Sequence, residues 1–153
     1  MADSEIVMVG PGEIPLVTNL YNEIFRPPQD KAFFERRLLG RYNKLLLVAN
    51  IERQPVGFAL GFELKPSVFF GWLLGVLPSQ RRQGVASQLL EAMTTWAAEH
   101  EYHGLRMECH NAHRPILHLA IESGFNIVGV RWDPDRQDNL VLLERDLSAI
   151  IDD

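Results

Sequence analysis

One stretch of the sequence decides the fold: residues 76–87 read Val76-Leu77-Pro78-Ser79-Gln80-Arg81-Arg82-Gln83-Gly84-Val85-Ala86-Ser87. The stretch joins an apolar, strand-like segment to the start of a long amphipathic one. Backbone N–H groups at a helix N-terminus have no partner within the helix, and the helix dipole favours an anion there. Gly84 and Ala86 leave the backbone accessible, and Arg81 and Arg82 add positive charge. We therefore predict a turn that binds a diphosphate. It is not a P-loop, because no Gly-Lys-Ser/Thr follows, and no strand leads into a Gly-x-Gly-x-x-Gly.

Outward from this turn, apolar periodicity and turn residues divide the rest of the chain into short elements. The predicted strands are 6–9, 45–51, 56–64, 68–77, 105–110, 125–131 and 140–147, and the predicted helices are 13–25, 30–38, 84–101 and 115–123. The strand–helix–strand unit around the long helix implies parallel pairing, and the tight turns elsewhere imply antiparallel pairing. The fold class is α/β, a mixed sheet with helices on both faces, in the order β-α-α-β-β-β-α-β-α-β-β.

The composition bounds the function. A chain of 153 residues fits a single domain, 1–153. A formal charge of −5, with the basic residues scattered, argues against nucleic acid as a partner. No apolar run approaches the ~20 residues that span a membrane, and the N-terminus lacks the features of a signal peptide. The single cysteine, Cys109, predicts a buried, inert thiol in a reducing compartment, so we expect a cytoplasmic protein.

The segment Arg81-Arg82-Gln83-Gly84-Val85-Ala86 resembles the Q/R-x-x-G-x-G/A signature of the GCN5-related N-acetyltransferase (GNAT) superfamily, and Val76-Leu77-Pro78 resembles the Val-x-Pro before it. The later strand, short helix and Gly124-Phe125 resemble a second family block, so the resemblance covers essentially the whole chain. It implies that backbone amides bind the pyrophosphate of acetyl-CoA. The residues that it assigns to this cosubstrate are Val76, Leu77, Arg81, Arg82, Gln83, Gly84, Val85, Ala86, Ser87 and His113.

The resemblance also implies a β-bulge in the central strand. In the family, this bulge splays the central strand away from the next parallel strand, and the pantetheine arm pairs with the exposed backbone like an added strand. Gly75 is an isolated glycine in an otherwise bulky strand, which indicates a bulge or a close backbone approach. The alternative is that Gly75 relieves crowding against Trp72 or a helix.

The chain departs from the family pattern at the general acid. Many members carry a tyrosine four residues before the Gly-Phe pair, where this chain has Ala120. His113 stands where the family often has asparagine, although Asn111 is close enough to serve. Water can protonate a coenzyme A thiolate, so the loss of the tyrosine does not forbid activity. It leaves open a non-catalytic acyl-CoA-binding or regulatory module, and a further alternative is a small α/β protein that binds another diphosphate nucleotide.

Two residues are candidates for the general base. Glu108 occupies a position that some protein N-terminal acetyltransferases of the family use as base, and in the wedge between splayed strands we expect it to be partly desolvated. The alternative for Glu108 is an ion pair with Arg106 or another cation. His110 ends its strand, where ligands gather in open α/β sheets, although an ordinary loop histidine explains it as well.

No metal is expected, because the spacings of the clustered histidines match no zinc pattern. The resemblance implies that Phe25, Arg26, Pro27 and Pro28 line the acceptor side. Asp133, Asp135 and Asp138 either attract a cationic amine there or form a solvated turn. The resulting expectation is transfer of acetyl from acetyl-CoA to a primary amine by direct attack, with backbone N–H groups near Leu77 stabilising the oxyanion. The acceptor stays open, as does a homodimer.

Overall fold

The computed structural model describes residues 4–151. The strands are β1 (Glu5–Val9), β2 (Leu45–Ile51), β3 (Gln54–Lys65), β4 (Val68–Val76), β5 (Gly104–His110), β6 (Asn126–Asp133) and β7 (Asp138–Asp146). The helices are α1 (Ile14–Ile24), α2 (Lys31–Leu38), α3 (Val85–Glu99), α4 (Arg114–Glu122) and α5 (Ser148–Ile151). The predicted order of elements is confirmed, and the short α5 is the one α-helix that the sequence patterns did not predict.

The seven strands form one mixed sheet in the order β1-β2-β3-β4-β5-β7-β6. The pair β4–β5, joined by α3, is parallel, and the other neighbours are antiparallel. Helices cover both faces, as predicted. Leu89 and Met93 of α3 belong to the apolar core on one face, and Val17 of α1 and Phe34 of α2 belong to the core on the other. The middle strands are therefore apolar on both faces.

The central strands separate after a short paired stretch. Parallel pairing runs only over Val68–Gly71 with Gly104–Met107. On the other side of β4, Leu60 of β3 pairs with Leu73 and Gly61 of β3 pairs with Gly71, so Trp72 is the extra residue of a β-bulge. Beyond Gly71, β4 has β3 on one side and no paired strand on the other. The splayed parallel pair is thus confirmed.

The bulge lies three residues before the glycine that the sequence singled out. A Cβ at Gly75 would lie 2.8 Å from Cε2 of Phe25 and 3.3 Å from Cδ1 of Ile24. Gly75 therefore relieves crowding against the end of α1, which was the alternative explanation. Within residues 4–151, no helix has the length and apolar character needed to cross a membrane.

Candidate active site

The turn after β4 ends in a row of free backbone donors. A short 3-10 turn, Pro78–Gln80, leads into two residues with positive φ, Arg82 at 65° and Gly84 at 81°, and α3 begins at Val85. In the described part of the chain, the N–H groups of residues 82–87 donate to no backbone carbonyl. A row of such donors at the N-terminus of a 15-residue helix is suited to an anion.

The residues that precede this row are held by the protein itself. The Leu77 N–H donates to the Val56 carbonyl at 2.8 Å, and the Val76 carbonyl accepts from Nε of Arg81 at 3.3 Å. The expectation was that backbone N–H groups near Leu77 stabilise the oxyanion, and the Leu77 N–H itself is not free to do so. The backbone of β4 that lacks a partner strand on its β5 side lies earlier, between Trp72 and Val76. Gln83 donates its side-chain amide to Oε1 of Gln80 at 2.9 Å, which braces the turn.

A cleft of about 550 Å³ occupies the opening between β4 and β5. Its walls include Gly71–Leu74 of β4, Met107–His110 of β5, and side chains of α1, α2, α3 and the β6–β7 turn. Trp72, Leu73 and Leu74 are half-buried, so this part of β4 is accessible from the cleft. Of the four residues expected on the acceptor side, Phe25 and Arg26 line the cleft, and the two prolines do not.

His110 and Asp133 form a hydrogen-bonded pair at the cleft. Nε2 of His110 lies 2.8 Å from Oδ2 of Asp133, and the two side chains are 22% and 20% exposed. The hydrogen bond from His110 is the main reason that the pKa of Asp133 is lowered, and the Asp135 N–H also donates to this carboxylate at 3.0 Å. A carboxylate on one imidazole nitrogen fixes the tautomer and leaves the other nitrogen as a proton acceptor. The pair therefore has the arrangement of a general base and its orienting group.

Glu108 lines the same cleft, two residues earlier on the same face of β5. It is exposed, so the expected partial desolvation is wrong for this structure. The alternative pairing with Arg106 is also wrong, because that guanidinium lies 3.7 Å from Oε1 of Glu144. Within residues 4–151, Glu108 forms no ion pair. It is accessible to a ligand, as a candidate base must be.

Three further residues bear on the acid–base chemistry of the site. His113 lines the cleft with its ring 6.2 Å from that of His110, and desolvation followed by the charge of His110 lowers its pKa. Ala120 is fully buried, so α4 presents no hydroxyl at that position. Burial raises the pKa of Cys109 to about 11, so its thiol stays protonated and inert, as predicted.

The predicted acidic loop contributes differently from expectation. Asp133 forms a hydrogen bond with His110. Oδ2 of Asp138 accepts a hydrogen bond from the Ala112 N–H at 2.9 Å, which connects the β6–β7 turn to the loop before α4. Arg136 of the same turn lines the cleft instead. No group of histidine, cysteine and acidic side chains suited to a metal ion occurs between residues 4 and 151.

Solved structures with the same fold include several acetyltransferases. The ribosomal-protein-S18-alanine N-acetyltransferase of Escherichia coli is 17% identical, with 95% of both chains covered and a TM-score of 0.84. Ard1 of Thermoplasma volcanium is 20% identical, with 94% of this chain and 97% of the other covered and a TM-score of 0.81. The yncA protein of Salmonella typhimurium, solved with its cofactor acetyl-CoA, is 16% identical, with 96% and 95% covered and a TM-score of 0.76. At these identities the likeness establishes the fold.

A search of curated proteins finds no match. The model of the acetyltransferase (GNAT) family matches residues 14–125, well over half of the chain. This range includes the turn after β4, the splayed strands and α4. The chain therefore belongs to the GNAT family of N-acetyltransferases.

Proposed function

We propose that this protein transfers an acetyl group from acetyl-CoA to a primary amine by direct attack. The observation that carries the proposal is that one cleft between the splayed strands is lined both by the part of β4 that has no partner on its β5 side and by His110, which is hydrogen-bonded to Asp133. The free donors of residues 82–87 follow directly where β4 ends. Family membership supports the proposal, as does the acetyl-CoA held by the yncA protein.

In this proposal the diphosphate of acetyl-CoA binds at the turn between Arg81 and Ser87. The backbone N–H groups of this turn and the N-terminus of α3 stabilise its negative charge. The pantetheine arm extends the sheet along the β5 side of β4 between Trp72 and Val76, where β4 has no partner strand. This placement brings the thioester towards the end of the cleft where β5 presents Glu108 and His110.

The chemistry requires a neutral amine and a stabilised oxyanion. Nδ1 of His110 accepts a proton from the amine, and Asp133 stabilises the resulting imidazolium. The neutral nitrogen then adds to the thioester carbon to give a tetrahedral oxyanion. As this intermediate collapses, the C–S bond breaks, the nitrogen loses its excess proton to water, and the coenzyme A thiolate leaves and takes a proton from water. N–H groups of β4 beyond Gly71 that are directed to the side without a partner strand stabilise the developing oxyanion. Glu108 is the second candidate base, because it is exposed at the same cleft.

Ala120 favours a second candidate function, a non-catalytic acyl-CoA-binding or regulatory module. A buried alanine replaces the tyrosine that many relatives carry, so no side-chain acid faces the leaving thiolate from this position. Such a module binds coenzyme A without turnover. The homodimer stays a prediction in either case.

The test is release of coenzyme A thiol from acetyl-CoA with a panel of amines. We expect turnover that falls by about 10²–10⁴ in His110→Ala, which is the range for loss of a general base. His118→Ala is the matched control, because His118 is exposed on α4 and does not line the cleft. Binding of coenzyme A without turnover would favour the regulatory module. No stabilisation by any coenzyme A species would refute both functions.

A further inference from the structure

We infer that the acceptor is a small amine that also carries a carboxylate or a similar oxyanion, such as a free amino acid. This inference rests on the proposed acetyl transfer and specifies its acceptor. The inference rests on the positively charged side chains that line the cleft, whereas the acidic loop predicted negative charge there.

Three arginines from separate segments line the cleft: Arg26 at the end of α1, Arg37 on α2 and Arg136 in the β6–β7 turn. Within the described residues, none of the three forms a salt bridge. Glu108 is the one carboxylate in the lining. The cleft therefore has a net positive charge in a chain whose formal charge is −5. Unpaired guanidinium groups around one cavity favour an anionic ligand.

Contacts with the walls position two of these arginines, Arg26 and Arg37. The Arg26 guanidinium donates to the Phe25 carbonyl at 2.8 Å and also to that of Asn22. The guanidinium carbon of Arg37 lies 5.4 Å from the ring centroid of Trp72, the bulged residue of β4. A planar guanidinium fixed in this way pairs with a carboxylate through two parallel hydrogen bonds, with little further loss of side-chain freedom.

The charge of Arg136 acts on the pKa of two neighbouring residues. Burial raises the pKa of Tyr21, and the charge of Arg136 acts in the opposite direction. Desolvation lowers the pKa of His113, and Arg136 acts in the same direction after His110. Arg136, which lines the cleft, is thus close enough to Tyr21 of α1 and to His113 before α4 for its charge to act on both.

Coenzyme A does not account for the charge of Arg37. Trp72, under Arg37, lies four residues before Val76, which corresponds to about 13 Å along β4. The diphosphate turn begins only after Val76. Arg37 therefore lies on the other side of the reacting centre from the turn, where the acceptor enters.

The charges also distinguish among classes of amine. A polyamine or an aminoglycoside would bring several positive charges against three arginines, which is unfavourable. A peptide N-terminus carries a neutral amide two bonds from its nitrogen, whereas a free amino acid carries a carboxylate there. A cleft of about 550 Å³ that also receives the acetyl end of coenzyme A suits a small molecule.

The test compares each α-amino acid with its own amide in the thiol-release assay. The two share a side chain, so the pair isolates the carboxylate. We expect at least one acid whose kcat/KM exceeds that of its amide by about tenfold or more, as expected for a site built to pair with that group. Arg37→Gln and Arg136→Gln should abolish this preference and leave the Kd for coenzyme A unchanged. Arg36→Gln, which removes the same charge from α2 outside the cleft, should retain it.

Each outcome decides the inference. Amides or simple amines that react as well as the acids would overturn the inference and leave acetyl transfer intact. A preference for acids that survives in both arginine variants would overturn the assigned site. Coenzyme A binding with no thiol release from any acid or amide would refute acetyl transfer to such amines, and the inference with it. Aminophosphonates and aminophosphinates in the panel show whether the oxyanion must be a carboxylate.

Discussion

Replacing Gly84 by alanine tests whether the turn before α3 binds the diphosphate. Gly84 is the residue before α3 and has φ of 81°. An L-residue in this left-handed region costs about 1–2 kcal/mol. Gly40 provides the matched control, because its φ is 74° and a Cβ there would meet no atom within 4 Å. Both variants should therefore lose about 1–2 kcal/mol of unfolding free energy, which corresponds to about 2–8 °C in Tm for a chain of this size.

Binding of coenzyme A should separate the two variants. Gly84 lies within the row of residues 82–87 whose N–H groups are free, so the alanine methyl group is added at the turn proposed to bind the diphosphate. Loss of one hydrogen bond to a charged group costs about 1.5–3 kcal/mol, or about 10- to 150-fold in Kd. At a ligand concentration of 100 times the wild-type Kd, coenzyme A stabilises the wild type and Gly40→Ala by about 2.7 kcal/mol. It should stabilise Gly84→Ala by about 1.4 kcal/mol or less.

The measurements are urea unfolding with and without coenzyme A, and titration calorimetry for Kd. Equal affinity in Gly84→Ala and Gly40→Ala would refute the assignment of the diphosphate to residues 82–87. A loss of affinity in Gly40→Ala as large as in Gly84→Ala would show that binding follows global stability, and the local argument would fail as well.

Three further predictions concern single residues. Burial raises the pKa of Cys109 from 9.0 to about 11. At neutral pH, a disulfide reagent should therefore label this thiol about 100-fold more slowly in the folded protein than in urea. Fast labelling of the folded protein would contradict the burial of Cys109. The stability linked to that protonated thiol is fully present below pH 9 and should be lost as the pH rises towards 11, as measured by urea midpoints. Asp133→Asn should lower kcat more than tenfold with little change in KM, whereas Asp135→Asn should leave kcat and KM unchanged. Equal effects of the two substitutions would show that Asp133 does not orient His110. Ala120→Tyr should cost about 1–3 kcal/mol through overpacking, and a gain in kcat without loss of stability would show that α4 has room for the tyrosine acid.

Elements whose signals are local could be predicted from the sequence. The Asp30 side chain accepts from the Phe33 N–H at 2.9 Å, so the residue expected to open α2 caps it. Gly40 has positive φ just beyond the last turn of α2, a position where glycine commonly ends a helix. The turn between β4 and α3 is also contiguous, so its glycine and its arginines were visible as one motif.

The position of the bulge could not be predicted in the same way. A bulge depends on the register between two strands, and that register places Trp72 opposite the gap between Leu60 and Gly61. Gly75 carried a real signal of close approach, but its cause is the ring of Phe25 on a helix far back in the chain. A glycine in a strand indicates that something comes close, and only the tertiary structure shows what.

The same distinction explains the acceptor side. His110 and Asp133 end β5 and β6, which meet only because β7 returns between them in the sheet. The sequence indicated His110 as a candidate base and placed Asp133 in a loop. No sequence pattern indicated that these two side chains form a hydrogen bond. Of the three arginines of the cleft, Arg26 was expected on the acceptor side through the family resemblance, whereas no sequence pattern indicated that Arg37 and Arg136 would join it there.

The β6–β7 turn is therefore the element that joins proton transfer to acceptor choice. It supplies Asp133 to His110 and Arg136 to the cleft, and the bond from the Ala112 N–H to Asp138 fixes it against the loop before α4. Because exposed charges are screened beyond about 8 Å at physiological ionic strength, a local arginine governs an incoming anion more than the formal charge of −5 does. A change in the length of this turn would move the carboxylate and the guanidinium together. Such a change should therefore alter kcat and acceptor preference at once, whereas Arg37→Gln should alter preference alone.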